Sequence, residues 1–196
     1  MKSLILISSI IISGTLSVYA QGNAKDYFHV PPITFEKKAY FLSDAYHPQD
    51  IYYKQEYIPK GETADQFNSM VTIDLLTADI AVKDMVAKKV EELEELKKND
   101  PVVKYQLIEN SEKGEYILDF LITQTVGDKV GIVEWNVYRY KAYTYAPGKT
   151  GVLLFAYTKR GYGDGITKFF STLKTDRAEI TDHMTAYKLP DIKLSN

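Results

Sequence analysis

Residues 115–160, EYILDFLITQTVGDKVGIVEWNVYRYKAYTYAPGKTGVLLFAYTKR, decide the fold. Three strand-like runs follow one another with turn signals between them. In Glu115 to Gln124, Tyr116, Leu118, Phe120 and Ile122 recur at every second position, which sets them on one face of a strand. Gly127-Asp128 is a hairpin signal, because these residues tolerate the positive φ of a tight turn. Val130 to Tyr143 then returns antiparallel, with Glu134, Asn136, Tyr138 and Tyr140 on one side and Trp135, Val137 and Arg139 on the other. Pro147-Gly148 turns the chain again. Gly151 to Arg160 carries an unbroken apolar run, Val152-Leu-Leu-Phe-Ala156, as a central strand covered on both faces does.

Working outward, Lys38 to Leu42, Ile51 to Pro59, Val71 to Leu76 and Val102 to Ile108 read as further strands. In the second, Tyr53, Gln55 and Tyr57 face opposite to Tyr52, Lys54, Glu56 and Ile58. Between Thr63 and Met70 a short helical turn is expected. Thr77 to Asn99 reads as a helix, capped by Thr77 or Asp79, with Val82, Met85, Val86, Val90, Leu93 and Leu96 in one stripe. Pro101 ends it, since the residue before proline leaves the helical region. After the Gly161–Gly165 loop, Asp164 is expected to cap a last helix that carries Ile166, Phe169, Phe170 and Leu173 and runs to about Met184 or splits near Asp176. The predicted fold is α+β: a mostly antiparallel sheet packed by two amphipathic helices in a sandwich.

From Val82 to Leu173 this layout resembles the Mog1/PsbP-like fold group. The residues that carry the likeness are the helix Val82 to Leu96, the strand pair Glu115–Gln124 and Val130–Tyr143, and Val152-Leu-Leu-Phe-Ala-Tyr-Thr158 before Phe169-Phe170. The resemblance implies a Mog1/PsbP-like sandwich and an accessory, assembly or ligand-associated role without catalysis. No family binding residue matches a position here.

The N-terminus sets the expected compartment. Met1-Lys2, the apolar run from Leu4 to Ile12 and Val18-Tyr-Ala20 have the three-part layout of a secretory signal peptide. The expected organisation is a signal peptide at 1–20, an extended leader at 21–37 and one α+β domain at 38–196, in a protein exported to a periplasm or the cell exterior. After cleavage no later apolar run is long enough to insert into a membrane. With 24 Lys and Arg against 26 Asp and Glu, the charge balance argues against nucleic acid, which needs a clustered basic surface. The absence of cysteine removes disulfides, zinc-thiolate sites and thiol nucleophiles from this chain.

Chemistry-bearing motifs are scarce. Ala146-Pro-Gly-Lys-Thr150 imitates the end of a phosphate-binding loop, but Tyr143 stands where its first glycine belongs and a strand follows. The histidines His29, His47 and His183 have no metal-ligand spacing, so no cofactor or metal is expected. No Gly-x-Ser-x-Gly elbow occurs. Sixteen tyrosines against one tryptophan suit half-buried strands first of all; the sharper reading is an aromatic contact surface. The reading is therefore a non-enzymatic binding or accessory domain for a small ligand or a protein partner. Its candidate surface is Trp135, Tyr138, Tyr140 and Tyr157, with Arg139 and Glu134 beside them. One alternative is a secreted hydrolase using Asp119, Glu134 or His47. Another is a structural subunit of an envelope assembly.

Overall fold

A computed structural model describes residues 24–126 and 129–195. Within them the chain runs β1 (Ile33–Phe35), β2 (Lys38–Gln49), β3 (Tyr52–Ile58), β4 (Ser69–Leu76), α1 (Val82–Lys97), β5 (Lys104–Asn110), β6 (Glu115–Val126), β7 (Lys129–Ala146), β8 (Lys149–Tyr162), a 3-10 turn at Gly163–Gly165 and α2 (Ile166–Ala186). The described strands form one sheet in the order β1-β2-β3-β4-β8-β7-β6-β5, every neighbouring pair antiparallel. Two meanders join where β4 pairs with β8, from Ser69 opposite Lys159 to Leu76 opposite Val152. Gly151 makes that junction possible. A Cβ there would stand 2.1 Å from the Leu76 carbonyl oxygen, so only glycine lets the two strands approach.

The expected α+β sandwich of Mog1/PsbP-like type is overturned. The structure is 47% strand and 24% helix, and the sheet curls into a half-barrel. Strand length supplies the reason. β7 and β8 run for 18 and 14 residues, and long strands accumulate twist that bends a sheet out of plane. The two helices give only local cover, α1 against β6 and β7, and α2 against β6, β7 and β8.

The unbroken apolar run of β8 serves both faces. Leu153, Phe155 and Tyr157 join Val71, Ile73, Leu75, Val133, Trp135 and Val137 under Phe169, Leu173, Ile180 and Met184 of α2. Val152, Leu154 and Ala156 join Leu118, Phe120 and Tyr140 under Val86 and Leu93 of α1. Burial of this apolar area is the main stabilising term.

Local expectations are corrected in several places. Phe67 and Met70 do not sit on a helical turn; they pack with Ile58, and Met70 lies inside β4. α1 starts at Val82 after Ala81 and α2 after Gly165, neither with a side-chain cap, so Thr77, Asp79 and Asp164 do not cap them. Leu96 falls outside the buried stripe. The stretch read as a loose leader is core in its described part: Phe28, Val30, Ile33 and Phe35 are buried. The C-terminal tail pairs with it, Lys193 and Ser195 donating backbone N–H groups to the Phe28 and Tyr27 carbonyls. The signal peptide at 1–20 and the Gly127-Asp128 turn lie outside the described residues.

Candidate functional site

The six candidate binding residues fall on opposite faces of the sheet. Trp135, Arg139 and Tyr157 point toward α2, and Glu134, Tyr138 and Tyr140 toward α1. Trp135 is fully buried and donates its Nε1–H to Asp119 Oδ1 at 2.6 Å; Arg177 of α2 donates to Asp119 Oδ2, also at 2.6 Å. Arg139 donates to Glu115 Oε2 through Nε and Nη2 (3.0 and 2.7 Å), and through Nη1 to the Met184 and Tyr187 carbonyls (3.0 and 2.7 Å). It thereby fills the open carbonyls at the end of α2 with a cation, the charge that a helix C-terminus favours. These groups are buried and turned to internal partners, away from any ligand. Glu134 is likewise engaged, accepting from Arg160 Nε at 2.6 Å and Asn136 Nδ2 at 3.0 Å.

Tyr157 is different, because it lines a cavity of about 250 Å³ together with Glu36, Lys38, Asn68, Ser69, Lys159, Asp176, Glu179 and Ile180. Three parts of the fold meet there: the β1–β2 turn, the paired starts of β4 and ends of β8, and the middle of α2. The floor is a buried hydroxyl cluster. The Tyr40 and Ser69 hydroxyls lie 2.9 Å apart, with the Tyr157 hydroxyl beside them. Burial pushes the Tyr40 and Tyr157 phenols above their ordinary pKa, so both keep their protons and remain donors. Around the rim, Lys159 pairs with Asp176 at 3.3 Å and Glu36 with His183. Lys38 and Glu179 have no ion-pair partner among the described residues. The cavity therefore offers one free cation and one free anion above neutral hydroxyls.

A second hollow of about 320 Å³, lined by Tyr53, Thr77, Tyr145, Ala146, Lys149 and Leu194, has a single charge, and its Tyr145 hydroxyl already donates to the Thr77 carbonyl.

On the α1 face one carboxylate is out of balance. Asp74 is 7% exposed; its Oδ2 accepts from the Tyr52 hydroxyl at 2.7 Å, and its Oδ1 is buried with no partner. Burial raises its pKa to about 6, and Lys54 and Tyr52 offset only part of that. Burial alone would lower the Lys54 ammonium, but Glu56 at 2.7 Å and Asp74 outweigh it and its pKa rises. Asp74 is thus a group that titrates near pH 6 inside the sheet.

The hydrolase geometry is not assembled. Asp119 and Glu134 lie on opposite faces, and His47 sits on exposed β2, stacked on Tyr53 at 4.0 Å. Ser69 shares the cavity with Glu36, which holds His183, yet its hydroxyl bonds to Tyr40, and no Ser–His hydrogen bond exists among the described residues. There, too, no group of three or more His, Asp and Glu side chains comes together to hold a metal.

Sequence reasoning missed Lys38, Ser69, Asp176 and Glu179. They belong to no motif, and only the β4–β8 pairing and the return of α2 bring them together. Fold and cavity together define an open antiparallel half-barrel with a small polar hollow beside its last helix. The chain belongs to the family whose model matches residues 28–189, a family without an assigned function. No curated protein and no solved structure matches it.

Proposed function

We propose that the chain is an exported, non-enzymatic binding domain whose cavity beside α2 takes a small ligand carrying both a cationic and an anionic group. The observation that carries this is the unpaired Lys38 and Glu179 on a hollow that Ser69 and Tyr157 also line. Lys38 meets the ligand's anionic group, Glu179 its cationic group, and the Ser69 and Tyr157 hydroxyls meet polar atoms between them. A volume of about 250 Å³ suits a molecule the size of an amino acid or a short peptide. Export rests on the layout of Met1–Ala20.

Calorimetric titration tests this, with free amino acids and dipeptides set against acetate, phosphate and simple amines. Binding of zwitterions, weakened about tenfold or more by Lys38→Ala and by Glu179→Ala, is the expected result. Equal binding of singly charged compounds, or zwitterion binding untouched by either substitution, would refute it.

A further inference from the structure

The half-barrel is open at both sides, and its two edges are built differently. At one, β1 covers only Lys38–Tyr40 of β2. The rest of β2 carries Asp44, Pro48 and two register breaks against β3, all of which discourage further strand pairing. At the other, β5 has neither a proline nor a register break, and its two charges, Lys104 and Glu109, leave the middle of the strand uncharged. It pairs with β6 without a break from Lys104 to Asn110, and five of its seven residues are exposed. Leu107 and Ile108 in its middle are 43% and 38% exposed, one on each face of the sheet. No described strand pairs with its outer side. On the α1 face Leu96, 41% exposed, adds a third aliphatic side chain; it lies in the turn of α1 that holds Tyr105 through Glu94 and Lys97.

We infer that β5 is a self-association edge, and that its occupant is β5 of a second copy of this chain, paired antiparallel about Leu107. The charge order of Lys104-Tyr-Gln-Leu-Ile-Glu-Asn110 selects both the occupant and the direction. A two-fold axis through Leu107 sets Leu107 against the second copy's Leu107 and Tyr105 against its Glu109. Lys104 then falls opposite the second copy's Asn110, next to its Glu109, and no charge meets its like. Parallel pairing in register would stack Lys104 on Lys104 and Glu109 on Glu109, which opposes association. The two-fold arrangement also covers Leu107 and Ile108 on both faces at once and makes one continuous sheet from two half-barrels.

Analytical ultracentrifugation with hydrogen exchange decides the matter on the full chain. The expected result is a dimer whose β5 amides exchange at least about tenfold more slowly than in a Leu107→Lys/Ile108→Lys variant. That variant should be a folded monomer whose melting temperature does not change with protein concentration, whereas the wild-type dimer's rises with it. Phe170→Lys, a change at another exposed apolar residue, should leave the dimer intact. A wild-type monomer up to its solubility limit would overturn the inference. So would a dimer that survives the double lysine change, or one that Phe170→Lys dissolves equally well. A monomer with protected β5 amides would equally overturn it.

Discussion

The two flanks of α2 handle charge in opposite ways. Toward β6 and β7, Arg177 and Trp135 saturate Asp119, and Arg139 joins Glu115 to the last carbonyls of the helix. Toward β4 and the β1–β2 turn, the same helix presents Asp176 and Glu179 over a hollow where Lys38 and Glu179 stay unpaired. The first flank is sealed, with Asp119, Glu115 and Arg139 buried among internal partners. The second is open and keeps capacity for something not in the chain. A buried charge without partners is costly and a solvated one is not, so free charges are tolerated only where the flank is open. Binding capacity should therefore lie on the open flank and stability on the sealed one.

Substitutions can break that division. Trp135→Ala removes the largest fully buried side chain and orphans Asp119 Oδ1; a loss of about 4 kcal/mol in denaturant unfolding is expected. A loss below about 1 kcal/mol would mean that the sealed flank is not what holds α2. Arg139→Leu leaves the Glu115 carboxylate buried beside only Lys141 at 3.5 Å and uncovers the end of α2, which should cost roughly 3 kcal/mol.

Asp74 sharpens the contrast from the other face, as a charge that is both buried and incompletely partnered. Its pKa of about 6 in the folded chain lies above the ordinary 3.8, so the folded state holds its proton more tightly than the unfolded state does. The stability it contributes is complete below about pH 4 and is lost as pH rises through about 6. Asp74→Asn mimics the protonated form. At pH 7.5 it should raise stability by roughly 2–3 kcal/mol, with the advantage vanishing below about pH 4. Unfolding curves across pH check this; a variant less stable than wild type at neutral pH would show that the ionised carboxylate is needed. On the open flank the effects should be smallest. Lys38→Ala and Glu179→Ala are expected to shift stability by no more than about 0.5 kcal/mol, and a larger loss would mean these charges are part of the frame.

Much of the sheet was legible in the sequence. Alternation placed Trp135 and Arg139 opposite Glu134 and Tyr138, and the unbroken run Val152–Ala156 marked the central strand. The curl was not legible, because twist accumulates over whole strands and β7 proved longer than its apolar pattern. Phe28 and Phe35 were hidden by the prolines and polar residues around them; the first is paired with a tail more than 150 residues away, the second packs on β8 and the end of α2. The site was only partly visible. Tyr157 was named for its aromatic ring, yet its partners Ser69, Lys38 and Glu179 come from segments with no local signature. Trp135 and Arg139 were attractive for the chemistry of their side chains, which the fold consumes internally.

Calorimetric titration of glycine and a dipeptide into wild-type, Lys38→Ala and Trp135→Phe proteins tests the division of labour most directly. Saturable binding is predicted for wild type and for Trp135→Phe, with Lys38→Ala weaker by about tenfold or more. Binding that ignores Lys38 but fails with Trp135→Phe, or no heat from either ligand with folded wild-type protein, would contradict it.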